Sequence, residues 1–147
     1  MGALADGALS KGGRVVGILP RFMADLEWGH VGLSELELVE DLRIRKHLML
    51  TRSQAAIALP GGSGTLEELL EAITLKRLGL YLNPILLVNT RGFFNPLLDV
   101  LNHAIAEHFM DERHALMWEV VERAEDVPEA LSRAPAWGEE ARAFAAV

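Results

Sequence analysis

Apolar residues recur along the chain in two rhythms. Arg14–Pro20 (RVVGILP), Gln54–Leu59 (QAAIAL) and Pro84–Asn89 (PILLVN) are short, nearly continuous apolar runs bounded by proline or polar residues, the pattern of buried strands. Ser34–Glu40 (SELELVE) alternates polar and apolar residues and predicts a further strand, and Trp118–Glu122 a last one. Between these runs the period lengthens. Asp41–Arg52 predicts a helix with Leu42, Leu48 and Met49 inward. Thr65–Gly79 predicts another, with Leu66, Leu69, Leu70 and Ile73 on one face and Gly79 at its stop. Asn95–Phe109 predicts a third helix and Val127–Ser132 a short one, while Pro135–Val147 reads as a short amphipathic helix or a frayed end. Strands alternating with helices predict an α/β fold with a mostly parallel sheet. Ligands in such folds sit beyond the C-terminal ends of the strands.

Composition narrows the class. The chain has 147 residues, 50% of them hydrophobic and 24% charged, which excludes a disordered chain and supplies one core. Cysteine is absent, so there is no disulfide framework, thiolate metal site or cysteine nucleophile. A cytoplasmic location is expected. The longest charge-free runs, Ser53–Leu66 and Leu78–Thr90, fall short of the roughly 20 residues that span a bilayer. The start, MGALADGALSKGG, lacks the basic-then-apolar pattern of a signal peptide. The net charge is −7; residues 1–110 carry 10 basic and 12 acidic groups, and residues 111–147 carry 4 and 9. A nearly neutral body does not gather nucleic acid, and neither a nucleic-acid nor a membrane partner is expected. A small anion can still be held by local donors.

The segment Leu59–Glu68 (LPGGSGTLEE) carries the chemistry. It reads as strand, glycine-rich turn and helix start. Two readings stand: a plain connecting turn, or a phosphate cradle of open amides at a helix N-terminus. It is not a Walker A loop, a dinucleotide fingerprint or a hydrolase elbow, and nothing nominates a base for Ser63. Thr65-x-x-Glu68 fits a capping box, with Thr65 as N-cap and Glu68 at N3. A carboxylate beside a bound phosphate is also explained if the ligand brings hydroxyls or develops positive charge. A ribose 5′-phosphate does both, because cleaving its glycosidic bond creates an oxocarbenium-like centre. The second constellation, Asp41–Lys46 (DLRIRK), reads either as a solvated basic face or as cations kept near a helix start for an anion or for Glu68. The five histidines show no metal-ligand spacing and are expected to be surface or packing residues. Trp118 and Trp137 are expected to pack. Trp28 reads as either base stacking or packing.

Together, Asp41-x-x-x-Arg45-Lys46 and Pro60-Gly61-Gly62-Ser63-Gly64-Thr65-Leu66-Glu67-Glu68 resemble the DMHxRK and PGGxGTxxE signatures of the LONELY GUY (LOG) family. Their separation and the downstream Gly79, Pro84–Asn89 and Gly92-Phe93-Phe94 follow the same pattern, over about residues 1–130. The resemblance implies a Rossmann-like three-layer fold, a domain over residues 1–134 with a tail at 135–147, and a homodimer or larger assembly. It implies hydrolysis of a cytokinin riboside or purine nucleoside 5′-monophosphate to free base and ribose 5-phosphate, with no cofactor and no metal. Arg45 and Glu68 would be the catalytic pair. Glu27, Lys46, Gly61, Gly62, Ser63, Gly64, Thr65, Leu66, Glu67 and Thr74 would contact the nucleotide. An older description of the family as lysine decarboxylases finds no lysine here in a pyridoxal phosphate setting.

Two departures bear on this reading. Leu42-Arg43 replaces Met-His in the first signature, and Leu75-Lys76-Arg77 stands where many members have Trp-Ala-Gln, which opens the base preference and the assembly. Met1–Leu4 resembles the end of the family's GGGxxGLMG segment. The strand-helix-strand that normally precedes it is expected to be missing, leaving a gap between the Arg14–Pro20 and Gln54–Leu59 strands. The alternatives to an active enzyme are a non-catalytic nucleotide-binding or carrier module, or an inactive fragment.

Overall fold

The structure, a computed structural model, describes residues 1–26 and 30–146. Among the described residues six helices and five strands alternate: α1 Gly2–Ser10, β1 Val16–Pro20, α2 Arg21–Asp25, β2 Glu35–Val39, α3 Leu42–Thr51, β3 Ala56–Ala58, α4 Ser63–Arg77, β4 Ile85–Val88, α5 Asn95–Ala106, β5 Glu119–Val121 and α6 Val127–Arg133. Short 3-10 turns join several of them. Every pairing is parallel, as an α/β fold requires. The described strands form two sheets, β1-β2 in one and β3-β4-β5 in the other. The chain divides into two compact units, Met1–Arg52 and Ser53–Val147.

In the first unit, β1 and β2 run in register from Val16↔Glu35 to Pro20↔Val39. Pro20 and Val39 are buried at the C-terminal end of the pair. Leu36 and Leu38 of β2 stay 44% and 39% exposed, so this parallel pair is not covered on both faces as parallel sheets usually are. Helix α3 packs on both strands, and Arg52 at its C-terminal end forms an ion pair with Glu37 of β2. Leu42 and Met49 are exposed rather than inward, while Arg45, Lys46, Leu48 and Leu50 are half-buried. The helix is rotated so that Arg45 and Lys46 are sheltered together with Leu48 and Leu50, while Arg43 stays exposed. Hydrophobic periodicity misses α1. The signal was helix-forming alanine and leucine closed by Lys11-Gly12-Gly13, whose amides bond back to Leu9 and Ala8.

The second unit holds the larger core. All four residues of β4 are 0–2% exposed, because β3 and β5 flank it and α6 packs over it. Leu86, Val88, Val121 and Ala130 form its centre, with Leu59, Val127 and Leu131 against them. Helix α4 buries Leu69, Ala72, Ile73 and Lys76. Leu70 is exposed, a correction to the expected stripe: the buried face runs one position over, through Ala72 and Lys76. The C-terminal stop at Gly79 is as expected. Gly79 adopts φ +64°, and the amides of Gly79 and Leu80 bond to Lys76 O at 3.0 Å and Leu75 O at 2.8 Å, a Schellman closure that favours glycine.

Two buried polar groups make quantitative tests of this core. Asn89, 4% exposed, ends β4 and organises the loop beyond it. Its amide N–H donates to Val121 O at 2.7 Å. Its side-chain oxygen accepts from Phe94 N at 2.7 Å and its Nδ2 donates to Asn95 Oδ1 at 2.8 Å. Asn89→Ala leaves the buried Phe94 N–H without an acceptor, so urea unfolding is expected to show a loss of roughly 2–3 kcal/mol. Lys76 is 2% exposed. Its Nζ donates to Asn83 O at 2.8 Å and lies 5.7 Å from the Trp137 ring centre, and burial pushes its pKa down to about 8. Between pH 8 and the ordinary 10.5 the unfolded chain holds a proton the folded chain has released. Stability therefore rises with pH across that window, by up to ~3 kcal/mol. Lys76→Met is expected to abolish that rise in pH-dependent melts.

Candidate active site

The glycine turn lies at the C-terminal end of β3 and opens α4. Ligands of α/β folds gather at such a position. The expected cap is corrected. Gly62, not Thr65, is the N-cap, with φ −84° and ψ −159°, and no side chain caps the helix. Thr65 and Glu68 therefore form no capping box. The cap falls three residues early because Ser63 and Gly64 are already helical, which moves Thr65 to N3 and Glu68 into the second turn. The first intrahelical bond in this turn is Leu66 N to Gly62 O, at 3.2 Å. The amides of Ser63, Gly64 and Thr65 precede it, as first-turn donors with no acceptor in the helix. They carry the positive end of the helix dipole.

The three glycines differ in what they do. A Cβ on Gly61 would collide with Thr65 Oγ1 and sit 3.0 Å from Thr65 Cβ, so Gly61 is a packing requirement of the turn. Neither Gly62 nor Gly64 has a positive φ, and a Cβ on either would meet no described atom within 4 Å. The fold does not require glycine at either position. What glycine provides there is open access to backbone amides.

Glu67 is exposed and Glu68 half-buried on the second turn of α4. Thr74 is exposed further down the helix, its hydroxyl donating to Leu70 O at 2.8 Å. It lies roughly 18 Å along the axis from Gly62, at 1.5 Å per residue. The turn and Thr74 therefore do not meet at one phosphate. Leu66 is half-buried under the turn.

In the first unit, the side chain of Asp41 accepts from Ile44 N at 2.8 Å and caps α3. That bond, assisted by Arg43, holds its carboxyl below the usual carboxylate range. The cap fixes the first turn of α3 and sets Arg45 and Lys46 on the second. Arg45 Nε donates to Ile18 O, in the middle of β1, at 3.0 Å. A guanidinium that cannot deprotonate is thus anchored to a strand by one of its five N–H groups. Glu27 and Trp28 lie outside the described residues. Among the described residues no group of three His, Asp or Glu could hold a metal ion, and no helix is long and apolar enough to cross a membrane. Sequence reasoning missed Asn89, which shapes the loop beyond β4. The signal was a polar residue ending an otherwise apolar run.

A family model described as possible lysine decarboxylase matches residues 1–131. The chain is 47% identical over 111 residues to a cytokinin riboside 5′-monophosphate phosphoribohydrolase of Rhodococcoides fascians, covering 75% of this chain and 56% of the relative. It is 37% identical over 133 residues to the Arabidopsis thaliana cytokinin riboside 5′-monophosphate phosphoribohydrolase LOG1, covering 86% and 62%. It is 43% identical over 108 residues to the LOG3 protein of the same plant, named for the same activity, covering 73% and 50%. The chain thus spans between half and two thirds of the length of these relatives.

Proposed function

The chain belongs to the LOG family, whose model is described as possible lysine decarboxylase, and from that premise we propose that it hydrolyses the N-glycosidic bond of a nucleoside 5′-monophosphate. The observation that carries the proposal is the open pair Gly62 and Gly64, whose glycine identity the fold does not need, one turn before two glutamates. The amides of residues 62–65 receive the phosphate, as helix N-termini do. Ser63 and Thr65 add hydroxyl donors. Leu66 backs the turn, and Gly61 keeps Thr65 against it.

Glu68 acts at the sugar. The bond from C1′ to the base nitrogen breaks and its electron pair leaves with the base. Positive charge builds at C1′, where a carboxylate stabilises it and draws a proton from the attacking water. The water oxygen joins C1′ to give ribose 5-phosphate, and the base gains a proton. Glu67 is assigned to ribose hydroxyls. Arg45 and Lys46 supply positive charge for the phosphate or the departing base, Arg45 as a fixed cation rather than an acid. Glu27 and Thr74 are assigned to the nucleoside end. The purine class, cytokinin or adenine, follows the names of the relatives and the resemblance. A homodimer or larger assembly and a cytoplasmic setting belong to the same proposal.

The test is incubation with AMP and with isopentenyladenosine monophosphate, measuring free base and ribose 5-phosphate by chromatography. Stoichiometric release of both is expected. Binding without release would replace hydrolysis with a carrier role; absence of binding would overturn both.

A further inference from the structure

Residues 132–146 lie beyond the family match, which ends at residue 131. They make a specific attachment. Trp137 Nε1 donates to Lys76 O at 2.8 Å. Arg142 donates through Nη2 to Gly79 O at 3.2 Å and through Nε to Leu78 O at 3.4 Å. In return, Arg77 Nε donates to Ala145 O at 2.8 Å. The tail thus adds a second donor to Lys76 O and takes the carbonyls of Leu78 and Gly79, just past the end of α4. Its 3-10 turn, Glu139–Phe144, carries Phe144 to a three-sided seat. The Arg113 guanidinium stacks on the Phe144 ring at 3.8 Å, the His114 ring lies at 5.4 Å and the Trp137 ring meets it edge-on at 5.9 Å.

His114 is the buried member of that seat, with 0% exposure. Its Nδ1 accepts the amide of Asp111 at 2.9 Å, half of a capping box that orders residues 111–116. This bond fixes the neutral tautomer, with the proton on Nε2. That atom is buried without a partner among the described residues. A second proton must go on Nδ1, where it would face the Asp111 N–H, donor against donor. We propose that residues 135–146 are a latch closed on the C-terminal end of α4 when His114 is neutral and opened when His114 is protonated.

The charges around His114 set the direction. Burial comes first in lowering its pKa below the ordinary 6.5; Arg77 of α4 adds to this, Asp111 opposes it and Arg113 lowers it further. The closed state therefore excludes the proton. Closure is complete above pH 6.5 and is lost as pH falls below it. Asp111 does not titrate in this window, because its ion pair with Arg113 holds its carboxyl far below the usual range.

The indole N–H of Trp137 reports the latch by NMR, assigned with Trp137→Phe. Its shift is expected to move to the solvent-exposed position with a midpoint below pH 6.5. In His114→Asn, whose amide oxygen can accept from Asp111 but cannot titrate, it should stay closed to pH 5. An immobile signal in the native protein, or the same movement in His114→Asn, overturns the proposal. Phe144→Ala serves as a second probe, since it empties the seat without touching His114. It is expected to show the open signal already at pH 7, and a closed signal there overturns the latch.

Discussion

Glu68→Gln is expected to lower the turnover of AMP or isopentenyladenosine monophosphate about 10³-fold, within the range that positioned acid–base groups supply. The change keeps size and hydrogen-bonding capacity and removes the negative charge. If Glu68 stabilises a cationic C1′ and takes a proton from water, the loss falls on kcat, and KM changes less than threefold. Half-burial on the second turn of α4 also makes the substitution mild for folding, and a thermal melt should move little. A variant that keeps at least a third of native turnover removes Glu68 from the chemistry. One that loses binding and turnover together assigns it to ground-state contact instead.

Gly64→Ala should separate stability from function in opposite directions. Gly64 is the second residue of α4, has no positive φ, and a methyl there meets no described atom within 4 Å. Alanine at a helical position of this kind stabilises by roughly 0.4–1 kcal/mol, mainly by restricting the unfolded chain. The same methyl stands over the first-turn amides. Affinity for the nucleotide should fall at least about tenfold, or about 1.4 kcal/mol. Calorimetric Tm and titration of AMP measure the two effects on one protein. A higher Tm with unchanged affinity would mean that no ligand approaches this amide, and the phosphate assignment would lose its main support. Gly61→Ala is the contrast: its clash with Thr65 should lower Tm as well as affinity.

These variants also show how far residue patterns reach. Continuous apolar runs located β1, β3 and β4, the pattern of strands in a parallel sheet, while β2 showed as the alternating Ser34–Glu40 and β5 within Trp118–Glu122. Gly79 correctly marked the end of α4, since a left-handed residue after a helix is a local demand. Thr65-x-x-Glu68 misled because the same spacing serves a cap or a first turn, and only backbone angles at Ser63 and Gly64 distinguish them. Leu42 and Met49 misled because burial depends on which face of α3 meets β1, and Arg45 anchored to Ile18 occupies that side. Helix α2 is five residues long, too short for a helical period to show.

By itself the sequence determined the strands and the helices α3 to α6, the parallel α/β class, the glycine turn before two glutamates, and the family through two signatures in register. These are local properties, carried by neighbouring residues. Tertiary structure alone decided that Gly61 is held by packing while Gly62 and Gly64 are open, that the strands divide into β1-β2 and β3-β4-β5, and that a tail read as amphipathic or frayed grips α4 through Trp137 and Arg142. The reason is separation along the chain. Trp137 and Lys76 stand 61 residues apart, and no periodicity or spacing encodes which distant carbonyl a side chain will find.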